Sequence, residues 1–81
     1  MSNDGKWINL DNTSIFEYFK PNGKIIIVGI YNASEYPSSF TSEDKWCMVL
    51  KGYERIVLFT VAGVFIAKAS SGAWNKNWTR L

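Results

Sequence analysis

The chain has 81 residues, 47% of them hydrophobic and 20% charged, the mix of one small folded domain spanning 1–81 rather than of a disordered segment. It contains no histidine and a single cysteine, Cys47. His-based acid–base chemistry, His-ligated metals, internal disulfides and Cys-x-x-Cys redox pairs are thereby excluded. Nine Lys and Arg against seven Asp and Glu leave a formal charge of +2, and the cations are scattered singly along the chain. Nucleic-acid binding calls for a dense basic stripe, so no nucleic-acid partner is expected. No apolar run approaches the ~20 residues of a membrane span, and the first ten residues carry no export-signal pattern. Synthesis without a signal peptide and no membrane insertion are the corresponding expectations.

Residues 1–6 are polar and are expected to be disordered. Trp7-Ile8-Asn9-Leu10 follows as a short apolar anchor, then Asp11-Asn12-Thr13-Ser14 as turn and cap chemistry. Ser14-Ile15-Phe16-Glu17 fits a capping box, and Ile15, Phe16 and Phe19 fall on one helical face. The pattern predicts a helix over 15–20, stopped by Pro21-Asn22-Gly23. A strand is the competing reading there, because Ile, Phe and Tyr also favour sheets.

From 24 onward the chain reads as β. The run 24–31 (KIIIVGIY) is β-branched, and Gly29 inside it marks a bulge or a close backbone approach. The segment 32–44 is a long polar loop, and a loop of that length in so small a domain points to function or mobility. Strands are predicted over 45–51, 55–61, 64–69 and 74–81, joined by turns at 51–54, 62–63 and 70–73. The fold class is therefore mainly β: a small antiparallel meander sheet with one short N-terminal helix, an α+β domain being the alternative.

Catalytic chemistry finds little purchase. The six glycines are isolated, so there is no phosphate-binding loop. Glu43 and Asp44 would point to opposite faces, while Glu35 and Glu54 sit near turns, and exposed loop carboxylates are the expectation. Cys47 lies between Trp46 and Met48 and reads as a buried, inert thiol. No catalytic residue, cofactor or metal is expected, and the chain reads as a non-enzyme. The aromatics are more telling, since 13 of them (five Phe, four Tyr, four Trp) crowd so short a chain. Tyr31, Tyr36, Phe40 and Tyr53 fall on or beside loops, and Trp74 and Trp78 flank the terminal strand. Flat aromatic faces near Asn, Ser and Glu suit a sugar ring, whose C–H face is apolar and whose hydroxyls need partners. The competing reading is that these rings fill the core.

The closing stretch Gly63-Val64-Phe65-Ile66-Ala67-Lys68-Ala69-Ser70-Ser71-Gly72-Ala73-Trp74-Asn75-Lys76-Asn77-Trp78-Thr79-Arg80-Leu81 resembles the end of the knob domain of R-type pyocin and phage tail fibres. That family ends in a strand, a small-residue turn with Gly, then Trp, a few residues and a second Trp. Gly23-Lys24-Ile25-Ile26-Ile27-Val28 is similar to its early glycine-led strand, and Tyr31-Asn32-Ala33 through Pro37 to the loop that follows. Trp46-Cys47-Met48-Val49-Leu50 and Arg55-Ile56-Val57-Leu58-Phe59 are similar to the strand pair before its last hairpin, so the resemblance runs from Leu10 to Leu81. The bulky block Ile15-Phe16-Glu17-Tyr18-Phe19 departs from the family's shorter connection.

The resemblance implies a non-enzymatic module of a virion tail or phage-tail-like particle. Its expected partner is a bacterial surface polysaccharide or cell-wall glycan, with a homo-trimeric state and contacts to other tail proteins. It also implies that Trp74 and Trp78 are architectural. Ligand contacts are expected on the loops of the rigid meander, at Asn32, Tyr36, Phe40 and Tyr53. Two other readings remain open at this stage: a structural, trimerisation or tail-assembly module with no receptor contact, and a small inhibitor or regulator of a host protein or nucleic acid.

Overall fold

The computed structural model describes residues 7–81, so the expectation for residues 1–6 lies outside it. In chain order the elements are β1 (Trp7–Asn9), α1 (Ile15–Tyr18), β2 (Ile26–Tyr31), β3 (Cys47–Gly52), β4 (Arg55–Thr60), β5 (Gly63–Ser70) and β6 (Ala73–Arg80). All six strands form one open sheet in the order β1-β2-β3-β4-β5-β6. The fold is mainly β with one short helix, as the sequence predicts. The pairs from β2 to β6 are antiparallel and make the meander.

The sheet is mixed, because the apolar anchor is itself a strand: Trp7, Ile8 and Asn9 pair in parallel with Gly29, Ile30 and Tyr31. Three residues are too few to show a period in the sequence. A parallel pair needs a long crossover, and residues 10–25, with α1 among them, supply it. Gly29 shows why the close-approach reading of that glycine holds. The Trp7 ring lies across it, and a Cβ there would stand 2.7 Å from a ring carbon.

α1 starts where its cap predicts. Ser14 Oγ accepts from the Phe16 N–H at 3.1 Å, and Ser14 is extended (φ −62°, ψ 139°) as an N-cap must be. The helix ends at Tyr18, two residues before the predicted stop. Phe19 turns to an extended conformation (φ −99°, ψ 104°), which drives its ring into the core.

The sheet has two unlike faces. On one, Val28, Ile30, Val49, Ile56, Leu58 and Phe65 are buried. They pack against Leu10, Ile15, Phe16, Phe19 and Phe40 from the crossover and from loop 32–46. These two segments form the second layer, so the long loop is not free. Its turns are closed by bonds from the Phe40 N–H to the Pro37 carbonyl and from the Thr41 N–H to Asp44 Oδ2, both 3.0 Å. Lys51 is also buried on this face, and its Nζ donates to the carbonyls of Gly52 (2.7 Å) and Pro21 (3.3 Å). Burial lowers its pKa. On the opposite face Ile27, Met48 and Phe59 are exposed.

Phe16 sits at the centre of the covered side, with ring centroids 5.1 Å from Trp78 and 5.9 Å from Trp74. Phe16→Ala is expected to cost about 3–5 kcal/mol, most of the stability of so small a domain. Tyr53→Ala, in an exposed turn, should cost under about 0.5 kcal/mol. Urea unfolding followed by tryptophan fluorescence checks both, and equal losses would contradict this account of the core.

Candidate functional site

Alternation along β6 places Trp74, Lys76, Trp78 and Arg80 toward the covering layer. Each tryptophan turns its ring inward and hands its indole N–H to a carbonyl of that layer. Trp74 Nε1 donates to Phe19 O at 2.7 Å, and Trp78 Nε1 to Glu35 O at 2.9 Å. Between them the β5–β6 ladder is irregular. Lys68 pairs with Asn75 and Ile66 with Thr79, so Ala67 faces residues 76–78. Asn75 Oδ1 holds this bulge by accepting from the Asn77 backbone N–H (3.2 Å) and from Asn77 Nδ2 (3.0 Å). A bulge re-aims side chains, and here Lys76 reaches Glu35, Nζ to Oε1 3.5 Å.

Glu35 is the hub. It adopts φ +64°, its carbonyl takes the Trp78 indole, and its carboxylate accepts from Ser14 Oγ as well as pairing with Lys76. Around it the seam between β6 and the covering layer stays open. One hollow of about 490 Å³ is lined by Tyr36, Ser38, Ser39, Lys76, Trp78 and Arg80 among others. A second of about 510 Å³ lies toward α1, against Phe16, Glu17, Lys20 and Trp74. Glu35 and Lys76 line both, so the two hollows form one groove along β6 with this ion pair at its middle. At the far end Arg80 is anchored. Its Nη2 donates to Ala62 O at 2.9 Å, and its guanidinium covers Gly63 (φ +139°), where a Cβ would come within 2.9 Å of Nε.

Chemically the groove offers two aromatic edges, serine hydroxyls, an amide and the cations Lys76 and Arg80. The Glu35 carboxylate is already shared with Ser14 and Lys76, so the Arg80 end is net cationic. An arginine fork with spare donors suits a carboxylate or phosphate.

The residues expected to contact a ligand are scattered. Tyr36 lines the groove, but its hydroxyl is spent: it accepts from the Ala33 N–H (3.3 Å) and donates to Lys45 O (2.7 Å). Burial pushes its pKa up to about 12. Phe40 is buried, stacked on Tyr36 and edge-on to Phe65 (5.6 and 5.1 Å between centroids), and lines neither hollow of the groove. Asn32 turns the chain at φ +59° and ties β2 to β1 through Nδ2 to Asn9 Oδ1 (2.9 Å), outside the groove lining. Tyr53 stands exposed in the β3–β4 turn, and lines neither hollow. Sequence reading set Glu35 aside as an exposed loop carboxylate and passed over Ser38, Ser39, Lys76 and Arg80. The alternation Trp74, Lys76, Trp78, Arg80 was the signal for the last two.

Among the described residues no helix is long and apolar enough to cross a membrane. Comparison with known proteins finds no matching family model, no matching characterised protein and no matching solved structure.

Cys47 is buried on the core face, and burial, with the Asp44 charge adding to it, pushes its thiol up to about 12 from an ordinary value near 9. The folded state therefore holds a proton that the unfolded chain releases. The resulting stabilisation is complete below pH 9 and is lost as pH rises toward 12. In chemical unfolding across that window the wild type should lose stability faster than Cys47→Ala. The folded thiol should also resist a disulfide reagent at pH 8 that modifies the urea-unfolded chain within minutes. Rapid modification of the folded protein would contradict the inert assignment.

Proposed function

We propose that the chain is a non-enzymatic attachment module that binds an anionic polysaccharide of the bacterial surface along the β6 groove, carried on a phage tail or phage-tail-like particle. The observation that carries this reading is the groove itself. Two hollows in line share the Glu35–Lys76 pair, which suits an extended polymer better than a compact metabolite. The tryptophan edges offer apolar contact to sugar C–H faces, and the hydroxyls and amide offer partners to sugar hydroxyls. Lys76 and Arg80 select acidic sugars over neutral ones. The resemblance of the closing stretch to tail-fibre knobs supports the setting on a particle, where several copies turn weak single sites into firm adhesion.

The test is binding of the full-length chain, displayed on beads, to a strain panel with purified capsular or cell-wall polysaccharides as competitors. Binding should be strain-specific, abolished by an acidic polysaccharide and weakened by salt. Lys76→Ala and Arg80→Ala should each cost about tenfold in affinity, the scale of a lost hydrogen bond to a charged group. Tyr53→Ala should leave affinity unchanged. Binding that survives the double substitution Lys76→Ala/Arg80→Ala would remove the groove as the site.

A further inference from the structure

The face of the sheet away from the groove breaks the pattern of an antiparallel sheet with one side in water. Such sheets alternate apolar-in with polar-out. Here the outward positions are apolar across four central strands. Register lines up Ile27, Leu50, Val57 and Ile66 in one row, and Gly29, Met48, Phe59 and Val64 in the next. Trp7 lies over Gly29, and Trp46 packs edge-on to it at 5.4 Å while stacking on Tyr31 at 4.2 Å. Beyond the first row, Arg55 and Lys68 stand directly opposite each other on β4 and β5. Like charges in register repel, and the only ion pair among the described residues is Lys76 with Glu35, on the other side.

We propose that this face is covered by a second copy of the chain, sheet against sheet, about a two-fold axis that runs across the strands. The area is right for a closed dimer. Trp7, Ile27, Trp46, Met48 and Phe59 are 40–53% exposed, and large side chains worth about 150–250 Å² each in full leave on the order of 400–600 Å² open there. With the half-buried Leu50, Val57, Val64 and Ile66 between them, the face approaches the ~800 Å² that each partner contributes to a standard interface. That exceeds the exposed apolar patch usual on a monomer.

The charges select the axis. A two-fold parallel to the strands would keep like ends together and bring both Arg55–Lys68 pairs to the same end of the interface. A two-fold across the strands sends that cationic end over the partner's opposite end. There the β4 row finishes in Phe59 and the neighbouring rings are Trp46 and Tyr31, surfaces that attract a guanidinium or ammonium. The face is thus complementary to its own reverse, which an isologous interface requires. The same axis lays β6 of both copies along one edge of the sandwich, so both grooves open on that edge.

Sedimentation velocity of the full-length chain from about 1 to 500 µM tests this in two steps. A reversible monomer–dimer equilibrium with no larger species is expected. Met48→Lys and, separately, Phe59→Lys should each weaken dimerisation at least tenfold while far-ultraviolet circular dichroism stays unchanged. Should either lysine unfold the sheet, Met48→Thr serves instead, with a smaller weakening in the same direction. Arg55→Glu should weaken the dimer as well, since it places a carboxylate over aromatic faces. A stronger dimer from Arg55→Glu would overturn the axis. A wild type monomeric to 500 µM would overturn the self-association and leave an acidic partner protein as the occupant. A trimer, or open-ended assembly, would equally exclude the two-fold. Polysaccharide binding is read separately, through Lys76 and Arg80, and neither result depends on the other.

Discussion

Two indole N–H groups hold this molecule together. The layer that covers the sheet consists of residues 10–25 and loop 32–46, and the one helix in it, Ile15–Tyr18, is a single turn. A helix that short has no stability of its own, and a loop has less. The layer is stable only because its rings reach the core and because β6 ties it down at two points. Trp74 takes the carbonyl that ends α1, and Trp78 takes the carbonyl of Glu35 at the start of the loop. The Phe19 carbonyl, half-buried beside the aromatic cluster, would otherwise lack a partner there, and an unmet buried acceptor costs about 1–3 kcal/mol. Those bonds join residues 55 and 43 positions apart, so the last strand closes what the first third of the chain begins.

The groove is a consequence of that closure. Tryptophans that reach across a seam prop it open, because a ring hydrogen-bonded at its tip cannot also collapse onto the neighbouring strand. The bulge after Asn75 adds residues to β6 and re-aims Lys76 across the seam toward Glu35. Polar side chains then line a cleft whose floor is aromatic. Glu35, in a left-handed conformation within loop 32–46, turns a structural bond into an electrostatic centre by sharing its carboxylate between Ser14 and Lys76.

How much of this was legible in the sequence differs by level. The strands, their turns and the Ser14 cap were legible, since β-branched runs, Gly-containing turns and a Ser ahead of an apolar pair act locally. The strand at Trp7–Asn9 was not, because a three-residue parallel pairing is decided by the crossover and not by its own residues. The inward packing of the loop aromatics was hidden for a related reason. Phe40 and Tyr36 sit in a serine-rich, proline-containing stretch that reads as solvent-facing, yet Pro37 and Phe40 turn inward because the core lacks a second helix to fill it. In a domain this small, a loop has to supply core. The groove was half legible, through the alternation in β6. Its other wall was not, because Glu35 joins it through a backbone conformation that no pattern announces.

The two faces of the sheet also divide the work of the sequence. A chain of 81 residues whose single cysteine leaves it no internal disulfide has to draw its stability from packing. On the covered face even a lysine is drawn into the packing, Lys51, whose ammonium serves the Pro21 carbonyl of the crossover and the Gly52 carbonyl of β3 and lies 6.0 Å from the Trp74 ring centre. On the open face no such economy is visible: large apolar side chains stand half in water, and two cations face each other without an acid. Side chains of that kind bring no gain to the isolated chain, since exposed rings bury little and paired cations repel. They do gain once a matching surface removes them from water. The covered face accounts for how one chain folds and offers a ligand a groove, and the open face accounts for why that groove need not act singly.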